Sequence, residues 1–291
     1  MDEMFKLQTS ILTALGIAAV FLLLFYLEHR RPLRRSVESK RIRTGRNLAV
    51  FGLSAATLQW LEVPLVRPLA QQVESHGWGL LHLVELPDWL RWTLAFLLLD
   101  YTLFVWHWLT HRVGFLWRFH VVHHADLDMD ASTALRFHFG EMALSIPYRL
   151  AQVRLLGVDV APLMIWQHLL VASILFHHSN ISIPLRWERW LASAFVTPRM
   201  HGIHHSLVHQ ETDSNWSTIF SLWDRLHGTL RLNVPQHEIT IGVPAYRQPW
   251  QVSLGRLLRL PFVGQPDTWQ LPEGGEPQRS ELPGKRDQLE P

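Results

Sequence analysis

Apolar positions in this chain fall into long blocks within the first 180 residues, and charge collects between the blocks and at the C-terminal end. Ile11–Leu27 reads ILTALGIAAVFLLLFYL, with no charged residue between Lys6 and Glu28. That is close to the ~20 residues a helix needs to cross a bilayer. Lys6 is the only basic residue ahead of it and no small-x-small cleavage site follows, so the stretch reads as a span rather than a signal peptide. A second apolar run covers Asn47 to Val66, broken by Glu62. A third, Trp89–Thr110, carries Arg91 near its start and Asp100 inside. Glu141–Val158 and Ala161–Phe176 are separated by Gly157, Asp159 and Pro162 and predict a helical hairpin, spanning or re-entrant. Residues from 186 onward are too polar to cross. From Gln265 the chain is rich in Pro, Gly and charge and predicts a disordered tail. No internal repeat is present. The pattern predicts an all-α integral membrane protein with four to five membrane-embedded helices and a polar C-terminal part outside the bilayer.

Charge orients this arrangement. His29–Arg46 holds eight Lys/Arg against one Glu, whereas residues 67–88 hold one basic residue, Arg67. By the positive-inside rule the first segment is cytoplasmic. The third span then returns to the cytoplasm near His107–His111, and the polar part that follows is cytosolic. The formal net charge is only +2, so no general polyanion or nucleic-acid binding is expected. There is no cysteine, which excludes disulfides, thiolate metal sites, iron–sulfur clusters and a cysteine nucleophile. The 14 tryptophans suit membrane interfaces, but the 18 histidines call for a chemical explanation.

The histidines cluster. HWLTH places His107 and His111 at i, i+4. HVVHH holds His120, His123 and His124, and HGIHH holds His201, His204 and His205. On a helix, residues three and four apart share a face. Each cluster therefore offers at least two imidazoles to one ion, and eight imidazoles exceed one shell. Single histidines between the clusters, His138, His177 and His178, can complete the set. His168 lies in an apolar span and reads as structural. His209, His227 and His237 fit no ligand pattern, and His29, His76 and His82 lie away from the clusters. A single structural zinc takes four ligands and a catalytic zinc three plus water, so two ions with open positions fit better. Soluble di-iron proteins use Glu-x-x-His pairs, which are absent here.

Three polar residues are candidates to orient the imidazoles. Asp100 lies seven residues before His107 and eleven before His111, on the same helical stripe, where a carboxylate can accept the N–H of a ligating ring. Its alternative is a packing hydrogen bond to a Trp or Tyr. Glu141 follows His138 by three residues, either facing the site or complementing a helix N-terminus. Asn180 is the third. Asp224 stays undecided between the site and an ion pair with Arg225 or Arg231.

Taken in order, these motifs resemble the fatty acid hydroxylase superfamily, also called the sterol desaturase family. The similarity covers about Leu99 to Arg231 and rests on DYTLFVWHWLTHR, HVVHH with STALRFHFGE after it, FHHSN, TPRMHGIHHS and NWSTIFSLWDRLHGTL. STALR and HSN are closest to the branch containing alkylglycerol monooxygenase. The resemblance implies a cytosolic cap over two metal ions, iron in this family. The ligands it implies are His107, His111, His120, His123, His124, His201, His204 and His205, completed by His138 and His178. Some members carry a further HxxxH pair; here position 174 is Ile and the pair is missing. It implies O2, a membrane lipid substrate and an external electron donor, and hydroxylation or desaturation as the outcome. The implied organisation is 1–98 for N-terminal spans and basic loop, 99–235 for the catalytic domain, 236–263 for a C-terminal cap segment and 264–291 for the tail.

Other classes fit less well. A metal transporter would string histidines across the bilayer, whereas these gather at one end. A zinc hydrolase would carry HExxH, which is absent. A scaffold that had lost activity would not be expected to keep three intact clusters.

Overall fold

The computed structural model describes residues 2–279, with side chains from residue 14 onward. Every long apolar block is helical. α1 spans Asp2–Arg30. α2 (Lys40–Thr57) runs through a π turn, Leu58–Glu62, into α3 (Val63–His76), making one rod. Pro64, at the start of α3, has no N–H to give to the preceding turn, which favours a wider turn there. The rod stops at Gly77, whose φ of 63° caps it in the left-handed conformation. α4 (Asp88–Arg112) is followed at once by α5 (Gly114–His124), and α6 (Phe139–Leu156) and α7 (Val160–His178) form the expected hairpin. Five short helices make the cap: α8 (Leu185–Ala192), α9 (Pro198–His204), α10 (His209–Thr212), α11 (Leu222–His227) and α12 (Leu254–Arg259). No strand occurs among the described residues, only isolated bridges.

Three helical segments among the described residues are long and apolar enough to cross a membrane: Lys40–His82, Asp88–Arg112 and Val160–His178. The first extends well past the 47–66 run at both ends, because its polar N-terminal turns are held by the cap rather than by lipid. Trp60, Leu65 and Leu169 are at least half exposed along these helices, as is Leu22 on α1, as lipid-facing side chains would be. Inside, Val66, Val73, Leu99, Val153 and Trp166 pack together. Gly79 and Gly157 pass in direct backbone contact beside them; a Cβ on Gly79 would lie 2.3 Å from the Gly157 nitrogen.

The basic segment lies at the same end as the histidines, and its Arg43 and Arg46 are buried. Arg43 donates to Asp126 at 3.0 Å, to Thr133 at 3.1 Å and also to Asp130. Arg46 pairs with Glu38 at 2.6 Å and stands 3.6 Å from Asp126, and Arg136 lies 3.5 Å from the same carboxylate. Glu28 accepts from the backbone N–H groups of Ala131 at 2.7 Å and Asn180 at 2.9 Å, and from Lys40 at 2.8 Å. The acids of D126-L-D-M-D130 and Glu28 therefore neutralise Lys40, Arg43 and Arg46 and tie α1 and α2 to the segment that follows α5. Arg30, Arg31, Arg35 and Arg41 remain exposed.

The expected disordered tail is partly ordered. Residues 264–279 lie along the cap, where Trp269 stacks on His209 at 4.0 Å and on Trp117 at 5.4 Å, and Arg279 bonds Glu211 at 2.6 Å. Composition undercounts a segment with one large anchor. Residues 280–291 lie outside the described residues.

Burial pushes the Asp126 carboxyl up, but the Arg43 and Arg136 guanidiniums outweigh it and hold it at about 2, below the ordinary 3.8. A depressed carboxylate contributes stability above its unfolded value and loses it as pH falls towards the folded value. The melting temperature should therefore drop between pH 4 and pH 2, with Asp126 accounting for about 2 kcal/mol of that loss. Asp126→Asn should remove this component and cost about 3 kcal/mol at neutral pH, because it leaves the buried Arg136 without an ion-pair partner while Arg43 keeps Asp130 and Arg46 keeps Glu38. A melting temperature unchanged in the variant would refute the clamp.

Candidate metal centre

Nine histidines converge under the cap in two groups. His107, His111, His120, His124 and His204 form one; His123, His178, His201 and His205 form the other. Within each group the ligating atoms lie within 4.8 Å of one another. The helical repeat explains the sorting. α5 turns His120 and His124 to the first group and His123 to the second. α9 does the reverse, sending His201 and His205 to the second group and His204 to the first. α9 can begin here because Pro198 takes its first turn and the Thr197 hydroxyl accepts from the Met200 N–H. Glycine at 202 lets Arg34 lie against the helix; a Cβ there would sit 2.3 Å from the Arg34 guanidinium.

The rings are aimed mainly by backbone carbonyls. His107 Nδ1 donates to Trp216 O at 2.8 Å, His204 Nδ1 to Ser214 O at 2.8 Å and His178 Nδ1 to Ile174 O at 2.9 Å. His120 Nδ1 meets Glu141 Oε1 at 2.8 Å. Each of these bonds leaves Nε2 as a bare lone pair. His178 Nε2 lies 3.0 Å from both His123 Nε2 and His201 Nε2, and His205 Nε2 lies 3.2 Å from His201 Nε2. The Nε2 atoms of His111, His120, His124 and His204 are buried without a partner. The His178 Nε2 lone pair thus meets two other ring nitrogens at this distance, a convergence that a shared cation satisfies. Two nitrogens at about 2.1 Å from one ion and at right angles stand about 3 Å apart, so the donor set fits metal. Burial, reinforced by neighbouring rings, holds the pKa values of His123, His124, His201, His204 and His205 well below the ordinary imidazole value. These rings are neutral at physiological pH, the form that ligates.

The structure places the remaining candidates as follows. Glu141 lies against His120, with its Oε1 2.8 Å from the ring Nδ1. His138 is not brought to either group: its Nδ1 caps α6 by accepting from Gly140 N–H at 2.9 Å, and its Nε2 donates to Leu258 O at 3.3 Å, so no lone pair is left. Asp100 does not touch a histidine. It accepts from Ile219 N–H, Phe220 N–H and Trp223 Nε1 at 3.3, 3.1 and 2.7 Å, its packing alternative. Asn180 also misses the rings and exchanges two bonds with the Arg34 backbone, at 2.9 and 2.8 Å. His177 stands beside His201 with ring centroids 4.2 Å apart, outside both groups, its Nδ1 bonded to Thr218 O at 3.1 Å.

Asp100 nevertheless acts on the site through the 214–220 loop. Its carboxylate fixes Ile219 and Phe220, and Asp224 fixes Trp216 and Ser217, each by a backbone N–H at 3.0 Å. That loop carries the carbonyls of Ser214, Trp216 and Thr218 that aim His204, His107 and His177. Asn215 makes the turn with φ 56°, its side chain bridging Met200 O and Arg231. Backbone carbonyls have no residue signature, so sequence reasoning missed this layer.

A cavity of about 490 Å³ opens from His107, His120, His123, His178 and His201 and continues between α2, α6 and α7, walled by side chains such as Phe51, Leu58, Leu170 and Ile174.

Comparison with known proteins agrees with this geometry. Residues 92–229 match the family model described as fatty acid hydroxylase. An ornithine lipid hydroxylase of Rhizobium tropici is 31% identical over 191 residues, 63% of this chain and 53% of that protein. Alkylglycerol monooxygenase of Xenopus tropicalis is 29% identical over 216 residues, 72% and 46%. Cholesterol 25-hydroxylase of Homo sapiens is 30% identical over 152 residues, 51% of each. The chain spans about half the length of these relatives. No solved structure matches it with significance.

His→Ala at 124 or at 201 should each remove close to one metal equivalent by elemental analysis of folded protein. His138→Ala should leave metal content unchanged and lower stability by about 1 kcal/mol through loss of the cap. Metal lost at 138 and kept at 124 would reverse the assignment.

Proposed function

Because residues 92–229 match the fatty acid hydroxylase family model, we propose that this chain is a membrane-embedded oxidoreductase that hydroxylates a C–H bond of a membrane lipid with O2. The centre is a pair of iron ions, one for each histidine group, and the electrons come from a separate donor. The observation that carries this reading is the cavity: histidines from both groups close one end, and apolar side chains of the spans wall the rest. A hydrolase would need water at its metals, whereas this approach is built for an acyl or sterol-like surface.

Iron held by these histidines would supply O2 activation, chemistry that no side chain can perform. The chain's own residues do the rest. The histidines hold the ions through their bare nitrogens, and the carbonyls of Trp216, Ser214 and Ile174 fix ring tautomer and tilt. Glu141 accepts the Nδ1 proton of His120 and strengthens that ring as a donor. The apolar walls bind the lipid and exclude water that would quench a reactive intermediate. With the exposed arginines of the 29–46 segment at the histidine end, the cap faces the cytoplasm by the positive-inside rule. The reacting carbon is then drawn from the cytoplasmic side of the bilayer.

Isotope-labelled O2 tests the reaction. Purified, iron-loaded protein supplied with reductant and a lipid extract should give products carrying the label in a new hydroxyl group. An unlabelled product with a new double bond would make the chain a desaturase. Turnover without oxygen would overturn the oxidative reading altogether. Glu141→Gln should retain the labelled product at an activity about 10–100-fold lower.

A further inference from the structure

The cavity ends at a polar group for which the metal chemistry has no use. Glu62, on the π turn of the rod, Arg149 of α6 and Gln167 of α7 all line it. Gln167 Nε2 donates to Glu62 Oε1 at 3.3 Å, and Arg149 Nε stands 3.7 Å from the same oxygen. Glu62 is only 7% exposed, yet its Oε2 has no hydrogen-bond partner, and neither has Arg149 Nε. Ionisable groups inside a membrane domain are costly and mark function by default.

A helix clamp is the plain structural explanation, and two other acids in this chain show how such a clamp is made. Glu28 and Asp100 each use both carboxylate oxygens, with three donors apiece. Glu62 leaves one oxygen open and faces a guanidinium at ion-pair rather than hydrogen-bond distance. The result is one free acceptor beside one free donor at the end of an apolar cavity. A hydroxyl, both donor and acceptor, satisfies the two together. An anionic headgroup would be repelled by Glu62 and an ammonium by Arg149.

The reach is set by the helices. Arg149 lies eight residues along α6 from Glu141, which bonds His120, and Gln167 lies eleven residues along α7 before His178. At the helical rise these offsets are about 12 and 16 Å, close to half of the ~30 Å hydrocarbon core.

We propose that Glu62, Arg149 and Gln167 form a distal subsite that recognises the hydroxyl of a neutral, hydroxyl-bearing lipid and so selects which carbon reaches the histidines. The inference rests on reading the cavity as the lipid site. The bound lipid extends the length of one leaflet, with its hydroxyl at the π turn and the carbon to be oxidised at the opposite end.

Binding tests this without turnover. Full-length protein in nanodiscs is titrated with dodecanol and with its methyl ether, which lacks the donor. The wild type should bind the alcohol about tenfold more tightly, the scale of one hydrogen bond to a charged group. In Glu62→Met and Arg149→Met the ratio should fall close to one while affinity for the ether is kept. If neither variant folds, Gln167→Leu, which loosens Glu62, should lower the ratio about threefold. Equal binding of alcohol and ether by the wild type, or an unchanged ratio in the folded variants, overturns the subsite. Lipid oxidation with no such ratio overturns the subsite alone. A clear ratio in protein that oxidises no lipid overturns the proposed reaction and leaves the subsite standing. Failure to bind either compound overturns both.

Discussion

Nine imidazoles converge their ligating nitrogens in two tight groups, and holding those nitrogens together governs the rest of the architecture. The scaffold does this from outside the two groups. Four of the rings are aimed by bonds at the far nitrogen, His107 and His204 to carbonyls of the 214–218 loop, His178 to a carbonyl of α7 and His120 to Glu141. The loop is rigid because Asp100 and Asp224 grip its amides from opposite ends. A carboxylate buried in α4 thus serves the centre without touching it.

The cap is held down by the same device on a larger scale. Asp126 gathers Arg43, Arg46 and Arg136, and Glu28 gathers Lys40 and two backbone amides, so the first two helices are locked to the segment that follows α5. Buried ion clusters contribute little net stability compared with apolar packing. Their strength lies in direction: each guanidinium fits one carboxylate geometry, which sets the cap in register over the spans.

Much of this was readable from residue types. Helices follow from apolar blocks, and the metal groups follow from HxxxH and HxxHH spacing, because imidazole ligation constrains both identity and interval. His138 and Asn180 misled for one reason: both stand next to motif residues in sequence, but neighbours on a chain need not share a face once a helix starts or a turn intervenes. Asp100 misled because a helical stripe predicts proximity to the ring, whereas the nearer donors were loop amides and an indole. The acids of D-L-D-M-D did carry a signal, three alternating carboxylates beside a surplus of upstream arginines, that only pairing across the chain could interpret.

That pairing has a consequence for biogenesis. A chain is made from its N-terminus, so Lys40, Arg43 and Arg46 emerge long before Asp126 and its neighbours exist. During insertion these side chains are uncompensated positive charge, which resists translocation across the bilayer. Once the 126–130 segment arrives, the same charges are sequestered and become the internal fastening of the finished molecule. One set of residues first directs how the polypeptide threads the bilayer and is then withdrawn from the surface, which makes the orientation difficult to reverse after folding.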